Sequence, residues 1–255
     1  MTDSKKRPRC DSFDIHWGER PAADTIDKMV LLDEKFVYTI GNEIHFTANI
    51  NKVSIQEIIK QMTTLIHNHK KKYIEKNKKI REEREERDNR EDSSSDDNLE
   101  KDPTDSDSNC NNKPAKISKL NIIYTIDSPG GSVTSILKFV DFIGLAKKKY
   151  SFVNFTSIIT GLAASAGTIM AIVADKRYMT KNAHSMIHEL ASGSSGKYTE
   201  MRSYINFLDH LHEKLVTIYC EKTKKSVEDI EKLLRNETWF SAEDYLKYGF
   251  IDEIK

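Results

Sequence analysis

Two stretches constrain this chain more than any others: Ile122–Asp127, IIYTID, and Val153–Thr160, VNFTSIIT. Both are apolar and rich in β-branched residues, the pattern of strands covered on both faces in a parallel sheet. Each runs into a turn of small residues, Ser128-Pro129-Gly130-Gly131-Ser132 after the first and GLAASAG (Gly161–Gly167) after the second. Helical character follows both turns. Ile136, Phe139, Val140 and Ile143 recur at three-and-four spacing, and GTIMAIVA (Gly167–Ala174) is apolar all round, as a fully buried helix would be. Two βα units in succession predict an α/β domain with a mostly parallel sheet.

The rest of the chain arranges itself around these units. Order is expected from about Met29: FVYTI (Phe36–Ile40) reads as a strand and Gly41-Asn42 as a turn. Ile55, Ile58, Ile59, Met62, Leu65 and Ile66 form the core face of a helix. From about His69 to Ser118 the character changes. The Lys/Arg/Glu-rich run Lys70–Arg90 has opposite charges four apart, as at Arg84 and Asp88, and fits a solvated helix. The acidic, serine-rich segment that follows has nothing apolar to bury and reads as a flexible linker. Residues 69–118 are therefore expected to be a charged, disordered insertion within one domain spanning 29–255, and residues 1–28 a disordered tail.

Beyond the second βα unit, Arg177–Thr180 and Ser185–His188 are short strand candidates, and ASGSSGK (Ala191–Lys197) is a loop. Met201, Tyr204, Ile205, Leu208, Leu211, Leu215, Ile218 and Tyr219 then mark what is expected to be the longest helix. Ser226 with Asp229, and Ser241 with Asp244, fit capping boxes that open two final helices, the second ended by Gly249.

Composition narrows the function classes. Forty basic and forty acidic side chains cancel over 255 residues, so no global field recommends nucleic acid or a membrane surface as partner. The 38% share of hydrophobic residues is low for a wholly folded chain of this length, in keeping with a charged insertion. No apolar run reaches the roughly 18 residues of a membrane span, and the first thirty residues lack the apolar core of a secretory signal. A soluble, cytoplasmic protein is expected. The cluster Lys5, Lys6, Arg7 and Arg9 is open to two readings, a nuclear address or a simply solvated end. Cys10, Cys110 and Cys220 lie far apart, giving neither metal spacing nor a disulfide framework, and no metal or cofactor is expected.

The chemistry that these residues suggest is acyl transfer, which requires a nucleophile, a base, a group to orient the base, and N–H donors for an oxyanion. Ser165 lies between an apolar strand and a buried helix, beside the first N–H groups of that helix, which have no intrahelical partner. The N–H groups of Ala166 and of Gly131 would form the oxyanion hole. His188, at the end of SMIH, is the candidate base; a lone histidine behind an apolar pair equally fits a satisfied core residue.

Four segments in order resemble the caseinolytic protease proteolytic subunit family, ClpP: SPGGSV (Ser128–Val133), GLAASAG (Gly161–Gly167), MIHE (Met186–Glu189) and WFSAEDYLKYGFID (Trp239–Asp252). The similarity extends from roughly Leu31 to the C-terminus apart from the insertion. It implies a superhelix of ββα units, the ClpP/crotonase fold, with Ser165 as nucleophile, His188 as general base, and Gly131 and Ala166 as oxyanion donors. It also implies homo-oligomeric rings stacked in pairs through Ala191–Tyr219, polypeptide substrates, and a ring ATPase of the AAA+ unfoldase type as partner. The third triad member falls at Glu237, where most relatives have aspartate, with Asn236 beside it; an exposed loop acid is the alternative. The chain also departs from the family at Leu190, where proline is usual, and in the insertion. Three functions remain in play: a serine endopeptidase acting through an acyl-enzyme inside a chamber, a non-catalytic ring subunit, and, last, a crotonase-like acyl-CoA enzyme.

Overall fold

The computed structural model describes residues 36–92 and 117–255, the side chains of 88–92 excepted. The N-terminal tail with its basic cluster, Cys10, Cys110 and the side chain of Asp88 lie outside the described residues.

The two expected strands are the centre of an eight-stranded sheet. They are β3 (Leu120–Ser128) and β4 (Val153–Ala164), paired in parallel. On the outer side of β3 lies β2 (Glu43–Phe46), also parallel, with β1 (Val37–Ile40) antiparallel beyond it across the turn at Gly41. The strand β2 escaped the sequence reading because EIHF is short and carries Glu43 and His45 on its outward positions. On the other side, β4 is shared. Its first half pairs with β5 (Lys176–Met179) and its last residues with β6 (His184–Ile187), both parallel. The short strands β7 (Thr238–Phe240) and β8 (Glu253–Ile254) complete the sheet, β7 antiparallel to β6 and β8 parallel to β5. The sheet is mostly parallel, in line with the expected α/β class.

Alternate residues of β3 and β4, among them Tyr124, Ile126, Phe155 and Ile159, are fully buried beneath three helices. These are α1 (Lys52–Asp92), α2 (Val133–Lys149) and α3 (Ala166–Ile172). All seven residues of α3 are buried, as expected of a helix that is apolar on nearly every side. A long helix α4 (Tyr198–Thr223), then α5 (Val227–Arg235) and α6 (Ala242–Lys247), close the chain. Ser226 and Ser241 accept from the N–H groups of Asp229 and Asp244, which is the expected N-capping.

Among the described residues the longest helix is α1, with 41 residues, and not α4, with 26. The sequence hid this because only the first third of α1 has an apolar face: Ile55, Ile58, Met62 and Ile66 are buried, and none of residues 67–87 is. The remainder is held by local pairs at i,i+4, Lys71–Glu75, Lys78–Glu82 and Arg81–Glu85, on surfaces in contact with water. At about 1.5 Å per residue the described helix runs roughly 60 Å. Its departure from the core is marked. His69 Nε2 bonds the Ser118 carbonyl at 2.9 Å and the ring stacks on Phe152 at 5.7 Å, so the chain leaves and re-enters the domain at adjacent points.

One charged side chain ties the far edge together. Arg177 on β5 forms a bidentate pair with Asp252 and also donates to the carbonyls of Lys222 and Gly249, at 3.0 and 3.2 Å. Partial burial pushes the Asp252 carboxyl up, but hydrogen bonds and charge from Arg177 outweigh this and hold it below the ordinary 3.8. A folded-state value below the unfolded one contributes stability above pH 3.8 that is lost as pH falls through the folded value. In Asp252→Asn the acid limb of a stability-versus-pH curve should accordingly be shallower, measured by urea unfolding between pH 3 and 6. Because His69 and Ser118 already meet, replacing residues 70–116 by a short Gly/Ser linker should shift Tm by less than about 4 °C, equivalent to roughly 1 kcal/mol for a domain of this size.

Candidate active site

The last turn of β4 brings the candidate residues together. Between Ile126 and Ser128 the β3–β4 ladder shifts, so that residues 160–162 bulge opposite Asp127. The Asp127 carboxylate accepts the freed N–H of Leu162 at 3.0 Å and stabilises the bulge. The strand then resumes for Ala163 and ends on Ala164, four residues further than VNFTSIIT suggests, with Ser165 at the turn that follows. Ser165 has φ 53° and ψ −122°, a conformation outside both helix and sheet that costs a non-glycine residue on the order of 1–3 kcal/mol. It projects the side chain off the end of the strand. The turn is held from both directions: Ser165 N–H donates to the Met186 carbonyl of β6 at 2.8 Å, and the Ser165 carbonyl accepts from Thr168.

The bond to Met186 also delivers the second residue. Ala164 is in register with Met186 on β6, and His188 lies one residue past the end of that strand. Its Nε2 is 2.8 Å from Ser165 Oγ, and both side chains are half-buried, open on one side to solvent.

The glycine turn completes the rim. Ile50 N–H donates to the Gly130 carbonyl and the Ile50 carbonyl accepts from Ser132 N–H, both at 2.7 Å. The Ser128 hydroxyl, donating to the Ala48 carbonyl at 2.7 Å, accepts Gly130 N–H at 3.2 Å. The N–H of Gly131 takes part in none of these bonds, and the N–H of Ala166, first residue of α3, has no intrahelical acceptor. The two therefore remain available beside Ser165. At Gly130, φ 99°, any other residue would be strained, since a Cβ there would lie 2.6 Å from the Ala164 carbonyl oxygen and 2.8 Å from Ser165 Cβ.

Glu237 stands apart. It is exposed, with φ 44°, in the link between α5 and β7. No hydrogen bond or ion pair among the described residues joins its carboxylate, or Asn236, to His188. The backbone still leads there: Ile187 pairs with Thr238, so one further step of the antiparallel β6–β7 ladder would set His188 opposite Glu237. Glu189 N–H, next along, donates to the Leu234 carbonyl at 2.9 Å.

The arrangement therefore sets a hydroxyl on a strained turn within hydrogen-bonding distance of an imidazole, next to the glycine turn and the first N–H of α3. Among the described residues no group of three His, Cys, Asp or Glu side chains could hold a metal ion, and no helix is long and apolar enough to cross a membrane. Asp127, Ile50 and Thr168, which shape the site, were not singled out in the sequence. What they share is that each bonds backbone groups of distant or irregular segments, which no side-chain pattern reports, and only the strand-ending position of Asp127 could have hinted at its part.

Comparison with known proteins bears on this geometry. A family model described as Clp protease matches residues 114–255. The "ATP-dependent Clp protease proteolytic subunit" of Streptococcus sanguinis strain SK36 is 37% identical over 137 residues, covering 52% of this chain and 67% of that protein. Its namesake in Streptococcus gordonii is 36% identical over 144 residues, 55% of this chain and 71% of that one. "ATP-dependent Clp protease proteolytic subunit 1" of Leifsonia xyli subsp. xyli is 30% identical over 158 residues, 58% and 78% of the two chains. The family match begins at the end of the charged segment, whereas the structure extends the same sheet to β1 and β2.

Gly130→Ala should destabilise the fold by roughly 1–3 kcal/mol in urea unfolding, because the added methyl meets backbone at a left-handed φ. An unchanged midpoint would mean that the turn does not press on Ser165.

Proposed function

Because the chain belongs to the Clp protease family, we propose that it is a serine endopeptidase in which Ser165, His188, Gly131 and Ala166 perform the chemistry. The observation that carries this reading is the 2.8 Å contact between His188 Nε2 and Ser165 Oγ at a strained strand-to-helix turn. In the proposed reaction Ser165 Oγ attacks the scissile carbonyl as its proton passes to His188 Nε2. The tetrahedral oxyanion is held by the N–H groups of Gly131 and Ala166. Collapse gives an acyl-enzyme and an amine that leaves with the proton from His188, and water, deprotonated by the same imidazole, releases the acid. Glu237 is the proposed orienting group for His188, supported by its place one step along the β6–β7 ladder.

Assembly and partners extend the proposal. The first half of α4 exposes Tyr198 (74%), Met201, Ile205 and Phe207, more apolar surface than a core-facing helix leaves open. We assign this face to contacts between copies in stacked rings that enclose the sites. The relatives' names describe ATP dependence, which supports an ATPase partner that delivers unfolded polypeptide; a cytoplasmic location is part of the proposal and rests on the sequence reading alone.

A non-catalytic ring subunit is the second reading, favoured by the separation of Glu237 from His188. A fluorophosphonate probe decides between them: the endopeptidase should label at Ser165 and cleave unstructured peptides. Ser165→Ala should abolish both, with cleavage down on the order of 10³-fold or more and Tm unchanged. Wild-type protein that neither labels nor cleaves would establish the scaffold reading. Glu237→Gln should slow acylation by a smaller factor, and a larger loss in Asn236→Ala would move the role to that neighbour. Light scattering at micromolar concentration should find a multimer; an active species at the chain mass would contradict the ring.

A further inference from the structure

The carbonyl of Ser165 is unusually well held for a group at a surface turn. It accepts the N–H of Thr168 at 3.0 Å and the Thr168 hydroxyl at 2.6 Å. The same hydroxyl is hydrogen-bonded to the hydroxyl of Tyr219 on α4. The proton assignments follow from valence: Thr168 has one hydroxyl proton, which the carbonyl must receive, so Tyr219 is the donor to Thr168. Thr168 is wholly buried and Tyr219 is 3% exposed, with its ring edge-on to Phe250 at 6.1 Å. Two buried hydroxyls thus form a relay, Tyr219 to Thr168 to the carbonyl of Ser165, behind the nucleophile turn.

That carbonyl belongs to the peptide unit whose N–H is that of Ala166. The unit is planar, with C=O and N–H pointing in opposite directions, so fixing the carbonyl from behind aims the N–H forward. Hydrogen bonds accepted by the carbonyl also polarise the amide and strengthen what its N–H donates. Core packing alone needs no polar atom here, since α3 is otherwise apolar. We propose that Thr168 and Tyr219 are positioning residues for the proposed acyl transfer, holding the Ser165–Ala166 peptide so that Ala166 N–H meets the oxyanion. The inference rests on the protease reading. It also makes α4, the helix with the exposed apolar face, a physical support of the nucleophile turn.

The test uses the full chain and separates positioning from stability. In Thr168→Val/Tyr219→Phe both partners become apolar at nearly constant shape, which leaves no buried hydroxyl orphaned and should leave Tm close to wild type. For a peptide substrate, kcat should fall about 10- to 100-fold with KM unchanged, less than the roughly 10²- to 10³-fold loss on removing an oxyanion donor outright. A peptide boronate, whose tetrahedral adduct occupies the oxyanion hole, should weaken in proportion to kcat/KM. Thr168→Ser, which keeps the hydroxyl, should retain wild-type kcat. A double variant with wild-type kcat and boronate affinity would overturn the proposal, as would an equal loss in Thr168→Ser. Should the double variant fail to fold, Tyr219→Phe decides: a several-fold drop in kcat at constant KM supports the relay, and no drop overturns it. The two readings fail distinguishably, because a wild-type chain that neither labels with fluorophosphonate nor hydrolyses peptide brings down the protease reading, and the relay with it.

Discussion

The hydrogen bond from Ser165 N–H to the Met186 carbonyl joins the end of β4 to β6 at the point where β4 has left its pairing with β5. Because β4 changes partners along its length, its end is free to turn out of the sheet while remaining tied to a neighbouring strand. The positive φ at Ser165 persists because bonds on both sides over-determine it. His188 arrives on the same strand that anchors Ser165, so the contact between hydroxyl and imidazole depends on one ladder rather than on the docking of separate loops.

The glycine turn shows the same economy. Ile50, just before α1, bonds the backbone on both sides of Gly131, and no hydrogen bond of the Gly131 N–H is found among the described residues. The N-terminal segment thus contributes to the rim although it precedes the matched part of the family by some sixty residues. Asn51 then caps α1, its carboxamide oxygen accepting from Val53 and Ser54 at 2.8 and 2.9 Å, which ties the start of that helix to the same rim. The charged arm emerges at the opposite end of the buried part of α1, beyond His69, well away from the turn.

Several buried hydroxyls of this core bond carbonyls behind the site. Ser185 donates to the Ala163 carbonyl at 2.8 Å, Ser157 to that of Ala171 at 2.7 Å, and Tyr124 to that of Met170 at 2.9 Å. With Thr168 and Tyr219, these hydroxyls satisfy carbonyls at the end of β4 and along α3, where a bulged strand and a seven-residue helix cannot pair all their own groups. They fix a short, irregular connection that apolar packing, being non-directional, would leave free to slide.

The sequence by itself determined the parallel centre of the sheet, since IIYTID and VNFTSIIT have no other plausible burial. It also determined the two glycine-bearing turns, the buried helix α3, the capped helices α5 and α6, and the pairing of Ser165 with His188 as candidates. What only the tertiary structure decided lies where local pattern carries no information. The length of α1 beyond Ile66 rests on charge pairs without an apolar face, and β2 on its neighbours β1 and β3. The roles of Ile50 and Asp127 come from contacts across 81 and 35 residues of chain respectively, at Gly131 and Leu162. Glu237 illustrates the boundary: its position in the chain is readable, but the reach of its carboxylate depends on the backbone at φ 44° and on one further rung of the β6–β7 ladder. Side-chain periodicity reports which face is buried; it does not report which backbone groups are left over, and this site is built from those.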